Sequence, residues 1–254
     1  MRIAILQHDI IWADPAKNVA HLDALIDMHP GADLYVLTEM FSTGFATEPE
    51  GIAEREGSET LAWMQRKAKA IHAAIAGSIA TEQDGNYYNR FYFVKPDGTV
   101  TSYDKRHLFI YGGEDRHFTQ GKERVVVEFR GVRFLLQVCY DLRFPVWSRN
   151  LGDYDAILYV ANWPTSRAEA WSTLLRARAI ENQCYVAGVN RVGTDPLCTY
   201  GGGSAIISPY GKTLASCEDD KECVASAELN MQKLAAFRQK FPVLNDADRV
   251  CSIS

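Results

Sequence analysis

The chain lacks most of the patterns that reveal a function directly. Its six cysteines, at 139, 184, 198, 217, 223 and 251, include no C-x-x-C pair and no nearby histidine spacing of a zinc site, and its six histidines form no H-E-x-x-H. No metal site is expected, and without a disulfide framework the cysteines should be free thiols in a reducing cytoplasm. There is no run of five like charges, and a net charge of -5 with a pI near 5.7 leaves no basic surface, which argues against nucleic acid as a partner. No apolar run approaches the roughly 18 residues that cross a bilayer. The opening "MRIAILQHDI" is too short in apolar length for a signal peptide and reads as a first strand, so a cytoplasmic location is expected. No G-x-G-x-x-G follows that strand, which removes support for a dinucleotide site. The segment "GGGSAI" carries Ile206 where G-x-S-x-G requires its final glycine, so a serine hydrolase reading fails as well.

What is present is a long alternation of short apolar runs with helical patterns. With 254 residues and 47% hydrophobic content the chain can bury a sizeable core, and a single domain over 1–254 is expected. "RIAILQ" reads as a strand, and Asp14 with Pro15 marks a helix start. "ADLYVLT" ends at Glu39, and a helix follows from about Ser58. "AAIAGSIA", "NRFYFV" and "TVTSYD" are three further strands, the last two joined by Pro96-Asp97-Gly98. The second half repeats the plan: strand "VRFLLQV", a short helix "FPVWSRNLG" closed by Gly152, strand "DAILYVANW", and helix "AEAWSTLLRARAIENQ". Strands "CYVAGVN", "GSAIIS" and "KTLASC" follow, the last two joined through Pro209-Tyr210-Gly211. Two similar halves, each a sheet with helices on one face, pack most economically sheet against sheet. The expected fold is therefore a four-layer α-β-β-α sandwich with two pseudo-symmetric halves. The tail from about 231 has the pattern of a terminal arm docking on a neighbour, with a frayed end as the alternative.

Within this frame Cys139 stands out. A cysteine packed for its apolarity would have apolar neighbours on both sides, whereas in "FLLQVCYDLRFP" the apolar run stops at Cys139 and Tyr140, Asp141 and Arg143 follow. If strand ends converge on one site, Glu39 and Lys105, which end strands in the first half, are its natural partners.

"LTEMFSTGF", "YDKRHLF" and "VCYDLRFP", in this order, resemble the three signature segments of the nitrilase, or carbon-nitrogen hydrolase, superfamily. "NWPTSRAEAWSTLLRARAIENQCYVAGVNRVG" and "GGGSAIISPYG" are similar to the segments that follow its nucleophile, so the resemblance runs from residue 2 to about 230. It implies the α-β-β-α fold, a Glu39-Lys105-Cys139 triad, no cofactor and a homodimer. "CYDLRFPVWSRN" with "NWPTSRAEAW" looks most like the bacterial omega-amidase branch, which hydrolyses the terminal amide of 2-oxoglutaramate and 2-oxosuccinamate. Val146 stands where many members carry glutamate, a change that branch shares. Glu114, in "YGGEDRHF", matches the family's second glutamate and is expected to hold Lys105 charged and oriented, with Gly112 and Gly113 allowing close backbone approach.

The chemistry follows. An amide is a poor electrophile, so the thiol must lose its proton to attack, and a cation and a base must stand near it. Cys139 is the expected nucleophile, Glu39 the general base and acid, and Lys105 with the Tyr140 backbone N–H the oxyanion stabilisers. Phe41, Phe45 and Trp163 are candidate pocket walls, and Arg167 is the candidate partner for a substrate carboxylate. Asp141 and Arg143 are expected to orient the turn beneath the nucleophile, Arg178 and Glu181 to pair on a helix, and the other cysteines to be packing residues. The rival readings are an amidase for deaminated glutathione or N-carbamoyl amino acids, a nitrile hydrolase, and a nitrilase-like binding module without catalysis.

Overall fold

A computed structural model describes residues 1–248. Strand β1 (Arg2–Gln7) leads to helix α1 (Pro15–Met28), which begins where expected. The Asp14 carboxylate accepts from the Lys17 backbone N–H at 3.1 Å, and Pro15 takes the first helical position, where a missing N–H is harmless. After β2 (Leu34–Val36) and a two-residue strand β3 (Glu54–Arg55), which the sequence did not announce, Ser58 caps α2 (Glu59–Ile71). Strands β4 (Ala74–Gln83), β5 (Asn86–Val94) and β6 (Val100–Asp104) complete the first half. The second half runs through β7 (Val126–Phe129), β8 (Val132–Val138), β9 (Ala156–Ala161), α3 (Ala168–Glu181) and β10 (Tyr185–Asn190). A small hairpin, β11 (Val192–Thr194) and β12 (Thr199–Gly201), precedes β13 (Ala205–Ile207), β14 (Thr213–Ser216), β15 (Cys223–Glu228) and α4 (Met231–Lys240).

The main sheets have the orders β15-β1-β2-β4-β5-β6 and β14-β13-β10-β9-β8-β7. Read from its other edge, the second matches the first strand for strand. Each has three parallel strands at its centre, an antiparallel hairpin on one side and one antiparallel strand on the other. Because side chains alternate along a strand, Ile3, Ile5, Phe93, Phe134, Leu136 and Val160 meet in one cluster between the sheets. Ala4, Leu6 and Tyr35 turn the other way, onto Leu22, Trp63 and Met64 of α1 and α2. Leu135, Ile157 and Tyr159 turn onto Trp171 and Leu175 of α3. The chain is thus an α-β-β-α sandwich. Each side chain buried in these layers contributes roughly 1.5–3 kcal/mol.

One expectation is corrected. The segment Phe144–Gly152 is a chain of turns and not a helix. Its carbonyls are taken by side chains from elsewhere: Trp147 O and Arg149 O by Arg124, and Ser148 O by the Tyr154 hydroxyl at 2.5 Å. Ahead of the tail helix α4, the second half therefore has one α-helix where two were expected. The tail helix α4 packs on its own chain. Leu234 enters the core between the sheets, and Arg238 bonds Asp155 and the carbonyls of Tyr154 and Gln183.

Candidate active site

Strand β2 of the first sheet and strand β8 of the second each hand the chain to a tight turn. At the end of β8 the turn is a short 3-10 helix, Cys139–Arg143, entered through Cys139 with φ +44°. A left-handed backbone at a residue with a Cβ costs of order 1–3 kcal/mol and persists only where its surroundings hold it. Asp141, fully buried, does so. Its carboxylate accepts from the Val138 backbone N–H at 2.9 Å, the Tyr103 hydroxyl at 2.8 Å, and the His107 backbone N–H and Nδ1 at 3.0 and 2.8 Å. Arg178 adds a bond from Nη2 to Leu142 O at 2.6 Å while pairing with Glu181 at 2.8 Å, the helix pair expected from the sequence.

Glu39, Lys105 and Glu114 have no exposed side-chain surface. Lys105 Nζ lies 2.9 Å from Glu39 Oε1 and 2.8 Å from Glu114 Oε2. Burial alone would drive Lys105 toward its neutral form, but Glu114 and Glu39 outweigh it and hold the ammonium charged, above the usual lysine range. Glu114 is pushed up, first by burial and then by Glu39, against the opposing pull of Lys105. The Phe109 backbone N–H also donates to its Oε2 at 2.6 Å. The Cys139 thiol is raised well above its ordinary value, by burial and by Glu39, with Lys105 pulling the other way. These influences together favour the thiol over the thiolate. Three of the expected residues thus meet around one ammonium, with Cys139 beside them.

Two residues that sequence reasoning passed over complete the arrangement. Asn162, the first residue after β9, donates from its backbone N–H to Glu39 Oε2 at 2.8 Å and from Nδ2 to Glu39 O at 2.7 Å. Its carbonyl oxygen is 4.0 Å from Cys139 Sγ. Asn89, on β5, donates from Nδ2 to Glu39 Oε1 at 2.7 Å and to Glu114 Oε1 at 3.1 Å. The available signal was an asparagine in or at the end of an apolar strand, since a polar side chain buried there must find partners.

A pocket of about 200 Å³ opens above Cys139 and Tyr140. It is below the range of about 300–1,000 Å³ that encloses drug-sized ligands, so it suits a small metabolite. Phe45 lines it, with Lys105 Nζ 5.2 Å from its ring centre, and so do Trp163 and Arg167. Phe41 does not: it is fully buried toward α2, 6.2 Å from Trp63, because its position in the turn after β2 points to the helix layer. Arg143 is the reverse case. Its guanidinium does not brace the turn but lies in the pocket, 4.9 Å over Trp163, while Arg167 lies 5.2 Å over Phe109. Neither guanidinium has a hydrogen-bond or ion-pair partner among the described residues, whereas nearby Asp195 is occupied by Leu197, Cys198 and Tyr200. Cys198, expected to be a packing residue, also lines the pocket. Cys184 and Cys217 are buried and Cys223 is half-buried, while Cys251 lies outside the described residues. Among the described residues no cluster of His, Cys, Asp and Glu has the form of a metal site, and no helix is long and apolar enough to cross a membrane.

The chain is similar to proteins of known chemistry over nearly its whole length. It is 48% identical to the omega-amidase YafV of Escherichia coli K12, over 98% of this chain and 97% of that one. It is 35% identical to the 2-oxoglutaramate amidase of Bacillus subtilis 168, over 96% of each. A crystal structure of a CN-hydrolase superfamily protein from Xanthomonas campestris, with an arsenic adduct in its active site, superposes with a TM-score of 0.96 at 42% identity, covering 99% of this chain and 98% of that one. A carbon-nitrogen hydrolase from Helicobacter pylori shares the fold at a TM-score of 0.89 and 23% identity. Residues 2–239 match the carbon-nitrogen hydrolase family, to which this chain belongs.

Proposed function

We propose that this carbon-nitrogen hydrolase is an omega-amidase, releasing ammonia from the terminal amide of a small 2-oxo dicarboxylic acid monoamide such as 2-oxoglutaramate or 2-oxosuccinamate. The observation that carries the substrate class is the pair of unpartnered guanidiniums, Arg143 and Arg167, in a small pocket with Cys139. A guanidinium is well matched to a carboxylate, and two on one wall suit the 2-oxo acid end while the amide reaches the thiol. The names of the relatives, omega-amidase and 2-oxoglutaramate amidase, support the same reading.

In this mechanism Glu39 takes the proton of Cys139 as the sulfur attacks the amide carbon. The carbonyl oxygen, now an oxyanion, is held by Lys105 Nζ and the Tyr140 backbone N–H, and a donor of this kind lowers a barrier by about 3 kcal/mol. When the C–N bond breaks, Glu39 returns the proton to the departing ammonia, leaving a thioester. Water, deprotonated by Glu39, attacks the thioester carbon; the C–S bond breaks and the thiol is restored. Such two-way proton transfer is worth roughly 10²- to 10⁴-fold. Glu114 keeps Lys105 charged and aimed. No step needs a metal or an organic cofactor.

The partner of the assembled enzyme is, on this reading, a second copy. Exposed Ile180, Tyr210 and Phe241 gather where α3 and α4 approach each other, with the rings of Tyr210 and Phe237 centred 4.0 Å apart and tilted by 37°. Sedimentation velocity should give the mass of a dimer.

The function is tested by ammonia release from 2-oxoglutaramate by wild type and Cys139→Ala, with glutamine and an N-carbamoyl amino acid for comparison. Fast, cysteine-dependent release from the 2-oxo amide alone is expected. Activity on a comparison substrate only would overturn the omega-amidase assignment and keep the thiol chemistry.

A further inference from the structure

The buried site carries more negative than positive charge. Glu39 and Glu114 are two carboxylates, Lys105 is one ammonium, and all three are shielded from water. Both Oε1 atoms face the same Nζ, at 2.9 and 3.0 Å. Two like charges this close cannot both stay ionised at ordinary pH without further donors, as one would take up a proton. A protonated Glu39 could not accept the proton of Cys139. Each acid accepts one backbone N–H on its far oxygen, Glu39 Oε2 from Asn162 at 2.8 Å and Glu114 Oε2 from Phe109 at 2.6 Å, so the donor still required is one shared by the two facing Oε1 atoms.

We propose that Asn89 is the positioning residue that keeps Glu39 and Glu114 apart and ionised, by giving one amide hydrogen to each. This rests on the reading of Glu39 as proton acceptor, though not on the identity of the substrate. The Nδ2 group has two hydrogens and two acceptors, Glu39 Oε1 at 2.7 Å and Glu114 Oε1 at 3.1 Å. Its orientation is set from behind by a directional chain. The Met40 backbone N–H donates to Ser78 Oγ at 2.9 Å, which leaves the Ser78 hydroxyl hydrogen for Asn89 Oδ1, also at 2.9 Å. With Oδ1 committed as an acceptor, Nδ2 can only face the acids. A flipped amide would present its oxygen to two carboxylate oxygens, and that repulsion fixes Nδ2 on the acids.

The chain also closes on itself. Met40 directly follows Glu39 and has φ +42°, so the bond that starts the relay holds the strained turn presenting Glu39, and the relay ends on that residue's carboxylate. The Asn89 carbonyl accepts from the Lys105 backbone N–H at 3.0 Å, so one residue touches all three charged members of the site. Ser78 and Asn89 lie on neighbouring antiparallel strands, β4 and β5, where Ala80 pairs with Asn89, which makes the relay part of the sheet and not of a loop.

The experiment is the pH profile of kcat/KM for wild type, Asn89→Asp and Ser78→Ala, on any amide the wild type turns over. Asn89→Asp keeps the size and the acceptor toward Ser78 but turns the donor into a third acid. Its acid limb should move up by about one pH unit or more, because ionised carboxylates have lost a donor and gained a like charge. Ser78→Ala releases the amide without touching the acids and should move the limb the same way by less. A lower kcat with the acid limb at the wild-type pH, in both variants, would make Asn89 a packing residue and overturn the proposal. Where Asn89→Asp is unfolded or too slow for a profile, Ser78→Ala decides alone, with an unmoved limb as the contrary result. Glu39→Gln separates the two levels: if it retains wild-type turnover, the proton-acceptor reading itself fails.

Discussion

Glu39 Oε2 and the Asn162 backbone N–H lie 2.8 Å apart, although 123 positions of sequence separate them. The bond joins the end of β2 in the first sheet to the end of β9 in the second. The carboxylate is therefore held by both halves of the sandwich, and so is its distance to Cys139. In the proposed mechanism, a base gripped in this way needs little reorganisation when it takes a proton.

Glu39→Gln should separate thiol ionisation from turnover. The Glu39 charge raises the Cys139 pKa and Lys105 lowers it, so removing the charge should move the thiol down and let it alkylate with iodoacetamide at lower pH than in wild type. Turnover of the amide should nevertheless fall roughly 10²- to 10⁴-fold, since no group remains to carry the proton. Mass spectrometry of the alkylated peptide and an ammonia assay read the two effects. An unchanged alkylation profile would refute the electrostatic account.

Arg143→Met and Arg167→Met should divide substrates by charge. A charge-assisted hydrogen bond contributes about 1.5–3 kcal/mol, so each variant should raise KM for a carboxylate-bearing amide by roughly 10- to 100-fold with a smaller change in kcat. A neutral aliphatic amide should be turned over as by wild type. Equal losses on both substrates would remove the arginines from substrate recognition.

Asp141→Asn should cost stability as well as rate. One of its two oxygens becomes a donor, facing donors that now have no acceptor, and each unsatisfied buried group costs about 1–3 kcal/mol. The turn that holds Cys139 at positive φ would loosen. Urea unfolding should show a lower midpoint at unchanged slope, with kcat reduced more than KM is raised. A midpoint equal to wild type would deny Asp141 its bracing role.

The pH dependence of stability carries the signature of Glu114. Its pKa is raised in the folded protein, by burial first and Glu39 second. A raised group binds its proton more readily folded than unfolded, so its contribution is fully present below the unfolded value of about 4.3. It is lost as pH rises through the folded value. The unfolding free energy of wild type minus that of Glu114→Gln should therefore fall from about pH 4 upward and level off above the folded pKa. A difference that rises with pH would show that Lys105 wins and that Glu114 is depressed.

The residues that the sequence pointed to for the site lie together in the folded chain, Glu39 and Glu114 on either side of Lys105. Glu39, Lys105, Glu114 and Cys139 were marked by the segments that resemble the family's signatures, while chain-local cues marked Asp14 and Ser58 as helix starts. What the chain alone could not show was decided by groups distant in sequence. Phe144–Gly152 had the composition of a helix, but Arg124 and Tyr154 took its carbonyls. Phe41 and Phe45 sit four positions apart in one turn, and only the packing of α2 sent the first into the core and left the second at the pocket. Arg143 looked like a brace until Asp141 and Arg178 were seen to hold the turn without it. Asn89 and Asn162 were two polar residues in apolar surroundings, with nothing nearby in sequence to name their partners. Periodicity and short motifs are properties of the chain, so the sequence by itself determined the central strands of both sheets, the order of the layers and the candidates for the site, but not the edge strands β7 and β15 or the hairpin β11–β12. Hydrogen-bond satisfaction is a property of the folded interior, so only the tertiary structure decided which buried amides and which arginines serve that cluster.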